Sequence, residues 1–383
     1  MQSYKLEIKN NKPEAKKILI LEKTSFHKDF KLQGISFSSK EELINFSTKN
    51  LNVEVTHFLQ QWFNNSLFVE VKTSGSTGKP KDLKLQKNYM VNSAKATGEY
   101  FKLPKNTTAL LCMSPNYIAG KMMLVRALTL GWQLDVVEPT SKPLENTSKQ
   151  YDFSAMVPMQ LHNSLSELYK IKKLIVGGGV VSNELLNKIQ NVNTEVFATY
   201  GMTETITHIA IKKLNHFNNV IANETKQSHY NVLPNISISN DSRGCLVINA
   251  PNVSEEKIIT NDIIELISST KFNWLGRYDT VINSGGIKLI PEQIEEKIRS
   301  VLTSRFFVSG LPDVILGEQL ILVVECIDTE MNEEDIFKKI KKLKSVSSYE
   351  IPKKIYFLDR FVITETKKIN RKETLKMIKS IDL

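Results

Sequence analysis

From about residue 67 onward, short apolar runs alternate with longer mixed segments: "LFVEVKT", "TALLCMS", "QLDVVEP", "KKLIVGGG" and "TEVFATYG". Short strands that are each followed by enough chain for a helix predict an α/β fold with a mostly parallel sheet. Several of these runs end in glycine or hydroxyl residues. Ligands of such folds collect at the carboxyl ends of the strands, so a site is to be sought there. After residue 230 the texture changes to shorter β-like pieces, "CLVINAP" and "DIIELIS", and a new unit begins after "WLGRYD". In it "PEQIEEKIRSVL" reads as a helix with Pro291 at its start, followed by "RFFVSG", "QLILVVECI", a charged helix around 332–344, and "KKIYFLD". The expectation is a large α/β domain over 1–278 and a small α+β domain over 279–383, since 383 residues exceed one typical core.

Composition narrows the function classes. The 51 Lys+Arg against 41 Asp+Glu leave a net charge of +10, which suits an anionic substrate or a nucleic acid. The charges are interspersed, without an arginine-rich tail or an aromatic-basic repeat, which disfavours nucleic acid. Cys112, Cys245 and Cys326 are odd in number and far apart, arguing against a disulfide framework or structural zinc. The first residues lack the apolar core of a signal peptide, and no run approaches the roughly 20 apolar residues of a membrane span. A soluble cytoplasmic protein is expected. His208, His216 and His229 match no metal-ligand spacing and read as structural or solvated.

The stretch "TSGSTGKPK" at 73–81 combines hydroxyls, glycines and lysines, a composition that grips phosphate. It is not the P-loop, because Pro80 stands where the second glycine after Gly75 belongs. Three further stretches have to be read with it: "YGMTET" at 200–205, "GRYDTVINSGGIKLIPEQIEE" at 276–296 and "TETKKINRK" at 364–372. Singly, each has an ordinary explanation as a surface turn, a capping acid, a packed aromatic or a charged face. Their joint order resembles the adenylate-forming superfamily of acyl-CoA synthetases, peptide-synthetase adenylation domains and luciferases, here N-terminally shortened.

The resemblance implies a role for each matched residue. Thr73, Ser74, Gly75, Ser76, Thr77, Gly78 and Lys81 would hold the β- and γ-phosphates of ATP. Glu204 would hold Mg²⁺, which prefers oxygen ligands, and Thr203 would touch the α-phosphate. Tyr200, beside Gly201, would stack on adenine, with Gly178 and Gly179 letting the base lie against backbone. Asp262 would bind the ribose hydroxyls, Arg277 would contact the nucleotide, and Asp279 would be the hinge between domains. Asn261 departs from the family's glycine, and Lys367 stands in a second glycine position of "KKINR" beside Lys368, the residue assigned to adenylation.

Among short members the chain is most similar to the o-succinylbenzoate:CoA ligases of menaquinone biosynthesis, through "SPNYIAGKMMLVRAL", "MVPMQL", "LIVGGGVVSNELL" and "YGMTETITHIA". In that group Tyr117 would border the acyl pocket and Arg126 would meet a second carboxylate, with Lys121 as an alternative; a fixed guanidinium suits that task. The implied partners are a carboxylic acid, ATP and coenzyme A, and the assembly is left open, a homodimer included. Two other readings stand beside this one: another aryl or fatty acid:CoA ligase, and an inactive nucleotide-binding regulator on the same fold.

Overall fold

The structure, a computed structural model, describes residues 26–72, 82–215, 229–302, 304–326, 332–364 and 369–379. Residues 73–81, His216, Lys367 and Lys368 lie outside the described residues. Six strands run parallel: β1 (Lys31–Leu32), β2 (Thr108–Leu111), β3 (Gln133–Val136), β4 (Tyr151–Met156), β5 (Ile171–Val176) and β6 (Glu195–Gly201). Their spatial order is β1-β3-β2-β4-β5-β6. The sheet then reverses. Strands β7 (His208–Lys213), β8 (Tyr230–Val232), β9 (Ser237–Asn240), β10 (Cys245–Asn249), β11 (Ile258–Ser268) and β12 (Lys271–Arg277) extend it antiparallel in the order β7-β8-β12-β11-β10-β9.

A mostly parallel sheet therefore describes half of this twelve-stranded one; the sheet as a whole is mixed. The run "LFVEVKT" is also placed elsewhere, as Phe68–Lys72 paired antiparallel with Asp82–Gln86 in a separate two-stranded sheet. Its pattern explains why. Val69 and Val71 are buried while Phe68 and Glu70 are exposed, the alternation of a strand covered on one face. By contrast Leu174, Ile175 and Val176 of β5 are buried in succession, as a strand covered on both faces requires.

Helices α1 (Lys40–Asn50), α2 (Val53–Phe63), α3 (Lys87–Phe101) and α4 (Ile118–Leu130) precede or connect the parallel strands. α4 is buried on every side from Gly120 to Leu128, which its nearly uninterrupted apolar sequence permits. Its first turn is set by backbone contact: a β-carbon on Gly120 would stand 2.3 Å from the Ser114 carbonyl oxygen. At the other end Gly131 takes φ +72° as a left-handed cap. The end of α3 packs on the sheet through Phe101, whose ring meets Phe153 and Phe197 edgewise or tilted.

Beyond Arg277 a short turn, Tyr278–Thr280, leads into a second sheet built from β13 (Ile282–Ser284), β14 (Ile287–Leu289), β15 (Phe306–Asp313), β16 (Gly317–Glu325) and β17 (Lys354–Leu358). Helices α5 (Pro291–Ile298), α6 (Glu333–Lys341) and α7 (Arg371–Lys379) accompany it. α6 carries acids in its first turn and lysines in its last, complementing the helix dipole, and buries Ile336 and Ile340. Within this unit Glu295 of α5 is buried and accepts from the Val308 amide at 2.8 Å and from Arg371 at 2.9 Å. That pair ties α7, which follows the segment holding Lys368, to the sheet. Glu295→Ala leaves the Val308 amide unsatisfied and Arg371 without its acid. It should cost about 2–4 kcal/mol and increase hydrogen exchange across α7 and β15. Wild-type protection in α7 would show that the pair does not anchor it.

Candidate active site

The carboxyl ends of β5 and β6 lie side by side, with Val176 paired to Ala198. After β5 the chain turns at Gly177 and Gly178, the latter at φ +78°. After β6 it reverses direction into β7, with Gly201 opposite His208. The two backbones approach so closely there that a β-carbon on Gly201 would stand 2.1 Å from the Thr207 oxygen and 2.6 Å from the His208 Cα. Only glycine fits.

Between these strands the chain makes a tight turn over Thr203–Thr205. The Thr205 hydroxyl, fully buried, is 2.9 Å from the Met202 carbonyl and 2.7 Å from the Thr207 carbonyl, and it accepts from the Met202 amide. Ile206 then sits at φ 65°, ψ −59°, and the Thr207 amide donates to the Thr205 carbonyl at 2.7 Å. This is a γ-turn of the positive-φ kind, strained for a β-branched residue. Burial of the Ile206 side chain holds it in place. As a result Glu204 projects outward, exposed and without an ion pair among the described residues, while His208 points in. One exposed carboxylate is a fitting protein ligand for Mg²⁺, a cation that keeps waters and takes its remaining oxygens from phosphates.

On one side of the turn lies a polar network. The Tyr200 hydroxyl donates to Asp262 Oδ2 at 2.5 Å, and Trp274 Nε1 donates to Oδ1 at 3.2 Å. Burial and the Asp262 charge raise the Tyr200 phenol, which stays protonated. Arg277 faces Asp262 across the β11/β12 pair, 4.0 Å away, and forks onto Asp279 at 2.9 and 3.0 Å. Thus Tyr200, Asp262, Arg277 and Asp279, remote in sequence, meet in one cluster. The Tyr200 ring is half-buried, packed edgewise against Phe272 and Tyr230. Asn261 has no positive φ, and its Oδ1 accepts from Arg243 at 2.8 Å, on a side chain turned toward solvent. The departure from glycine therefore costs no backbone strain.

On the other side is a cavity of about 250 Å³. Its lining includes the apolar Met113, Ile118, Met156 and Ile175 together with Gly178, Thr203, Thr207, His208 and Arg126. The Arg126 side chain is 1% exposed. Among the described residues Nε donates to Thr97 Oγ1 at 3.3 Å, one terminal nitrogen meets only the Met123 sulfur at 3.6 Å, and the other, Nη2, has no partner. No acid offsets it. Burial alone pushes Arg126 down to about 9, so it remains a cation at neutral pH. Such a charge, buried and unpaired, is costly unless a ligand supplies the anion.

The other residues assigned to the acyl pocket fall elsewhere. Tyr117 immediately precedes α4 and is exposed, and Lys121 lies over the Phe58 ring at 5.4 Å; neither lines the cavity. Helix geometry accounts for this, because at about 100° per residue a spacing of nine puts Tyr117 and Arg126 on opposite sides, and Lys121 is about 140° away. Conversely His208, read from sequence as structural or solvated, lines the cavity beside Arg126. A metal-ligand spacing search cannot detect it. The signal that could have found it is strand alternation after the glycine turn, which brings His208 opposite Gly201. His229 lies just before β8, outside the cavity, and no cluster of metal-ligating side chains occurs among the described residues. Nor is any described helix long and apolar enough to cross a membrane.

Known proteins share this architecture. The solved acyl-CoA synthetase (AMP-forming)/AMP-acid ligase II-like protein of Dyadobacter fermentans DSM 18053 is 36% identical, with a TM-score of 0.55 over 85% of this chain and 93% of that one. The O-succinylbenzoate coenzyme A synthetase of Bacillus subtilis, solved with ATP and magnesium ion, is similar in fold, with a TM-score of 0.69 at 21% identity over 80% of this chain and 69% of that one. In sequence, a 2-succinylbenzoate--CoA ligase of Bacillus cereus is 24% identical over 92% of this chain and 78% of its own length. The AMP-binding enzyme family matches residues 9–239, which span the glycine turns, the γ-turn and the cavity. With that match over more than half of its length, and with the adenylate-forming fold around the site, the chain belongs to the AMP-binding enzyme family.

Proposed function

We propose that this protein is an ATP-dependent acid:CoA ligase that activates 2-succinylbenzoate, with the acid in the Arg126 cavity and ATP on the Tyr200–Asp262 side of the turn. The observation that carries the reading is the buried Arg126 guanidinium, unpaired among the described residues, in the lining of a cavity that also presents Met113, Ile118, Met156 and Ile175. An acid with one carboxylate to activate and a second to pair with Arg126 matches that lining. The names and folds of the Bacillus relatives support the choice of acid.

In the first step a carboxylate oxygen of the acid attacks the α-phosphorus of ATP, forming the acyl-adenylate as pyrophosphate leaves. In the second the CoA sulfur attacks the acyl carbon and AMP leaves. The protein's task in the first step is to neutralise charge that builds between two anions. In this reading Thr203, which lines the cavity, touches the α-phosphate, and Glu204 follows it on the same turn. Glu204 would hold Mg²⁺, which when bound neutralises charge on the departing pyrophosphate. The loop at 73–81 would grip the β- and γ-phosphates, Gly178 and Gly179 would flank the base, and Lys368 would reach both the acid and the α-phosphate. In this reading the chain divides into 1–278 and 279–383, and the small unit turns about Asp279 to replace Lys368 with the CoA thiol. The alternative of an inactive nucleotide-binding protein loses one of its supports, because Asn261 fits its position without strain.

Three substitutions test the reading. Lys368→Ala should abolish pyrophosphate release while leaving thioester formation from supplied acyl-adenylate; equal loss of both half-reactions would contradict its role. Glu204→Gln keeps the side chain's size but loses the charge, so adenylation should fall by about two orders of magnitude or more. Its melting temperature should be unchanged, and full activity would remove Glu204 from the site. Arg126→Ala should raise KM for 2-succinylbenzoate about ten- to hundred-fold, the worth of a charge-assisted bond. An analogue lacking the second carboxylate should be little affected. Equal effects on both acids would make Arg126 a packing residue.

A further inference from the structure

The side chain that carries this reading is itself held by a device built from three elements. Arg126 on α4 donates Nε–H to Thr97 Oγ1 on α3 at 3.3 Å, and the same oxygen lies 3.3 Å from His208 Nε2 on β7. Thr97 donates its own proton one turn back, to the Ser93 carbonyl at 3.0 Å. A hydroxyl oxygen that donates once and accepts from Arg126 has one lone pair left. His208 fills it only as the tautomer with the proton on Nε2. Nδ1 is then bare and faces the Thr207 hydroxyl at 3.5 Å.

All three side chains are buried, so their bonds to one another are made largely out of bulk water. Burial, followed by the nearby Arg126 charge, holds His208 well below the ordinary histidine value, so the ring is neutral at pH 7. The cavity lining thus carries a single positive charge. It matches a singly charged carboxylate and gives no second cation to a doubly charged group. A neutral ring beside a guanidinium adds no attraction of its own; what it adds is direction.

We propose that His208 is the positioning residue of this cavity: by donating to Thr97 Oγ1 it fixes the hydroxyl that holds Arg126, and so presents the unpartnered Nη2 edge to the second, monoanionic carboxylate of the acid. This rests on the reading that the acid occupies the cavity, and the test separates the two. Pyrophosphate release by the full chain is measured with 2-succinylbenzoate and with the analogue lacking the second carboxylate, and the ratio of kcat/KM values is compared across variants. His208→Phe, which fills the space without a donor, should lower the ratio about five- to ten-fold, through KM for the dicarboxylic acid. Thr97→Val should do the same. His208→Gln, whose amide can donate, should stay within about two-fold of wild type. If Arg126→Ala removes the selectivity but His208→Phe and Thr97→Val keep it, His208 is a packing residue and the inference falls while the substrate reading stands. If Arg126→Ala keeps the selectivity, both fall. Should His208→Phe fail to fold by thermal melting, the comparison of His208→Gln with the smaller, donor-less His208→Leu decides: retention in the first with loss in the second supports the inference, and equal ratios overturn it.

Discussion

The contact of Gly201 with the backbone of Thr207 and His208 is the constraint from which the site follows. It lets a parallel sheet turn back on itself within the residues between β6 and β7, closing them so tightly that the connecting chain has room for one short turn and a strained γ-turn. Holding Ile206 at positive φ costs about 1–3 kcal/mol, which burial of its side chain and the bonds of the Thr205 hydroxyl offset. The outcome is a fixed division of labour along a few residues. Tyr200 faces the Asp262 network, Thr203 lines the cavity, Glu204 is exposed, and His208 is driven into the interior.

Two arginines flank this turn and differ in the way that matters for ligand binding. Arg277 is partly exposed, forked onto Asp279 and close to Asp262, so its charge is balanced within the protein. Arg126 is fully buried and, among the described residues, bonded only to a hydroxyl and a thioether, with no acid to balance it. In a low-dielectric interior an unpaired charge is far more costly than at the surface. On the proposed reading, the charge kept there in the lining of the cavity is met by the second carboxylate of the acid.

Much of this was legible in the sequence, for reasons that differ by element. The buried parallel strands announce themselves because a strand covered on both faces reads as an unbroken apolar run, as in "LIV" of β5. The direction of the second half was harder, since a short apolar run reads alike in a parallel and an antiparallel sheet, and Phe68–Lys72 was drawn into the wrong sheet for the same reason. The glycine turns and the residues clustered around Asp262 were legible as motifs, because their chemistry demands particular residue types. Arg126 was reached by the same route, but Tyr117 and Lys121 were not separated from it, as proximity in sequence ignores the 100° step of a helix. His208 was missed because its significance is a partnership with Thr97 and Arg126, residues 111 and 82 positions away, that only the folded chain reveals.

The central claim is that Arg126 awaits the second carboxylate of the acid. A crystal structure of the full chain with a non-hydrolysable acyl-adenylate mimic of 2-succinylbenzoate tests it directly. The account predicts a carboxylate oxygen about 2.7–2.9 Å from Arg126 Nη2, with Thr97 still bridging Arg126 and His208. A second carboxylate that lies at the cavity mouth, with Arg126 left unpaired behind it, would contradict the account.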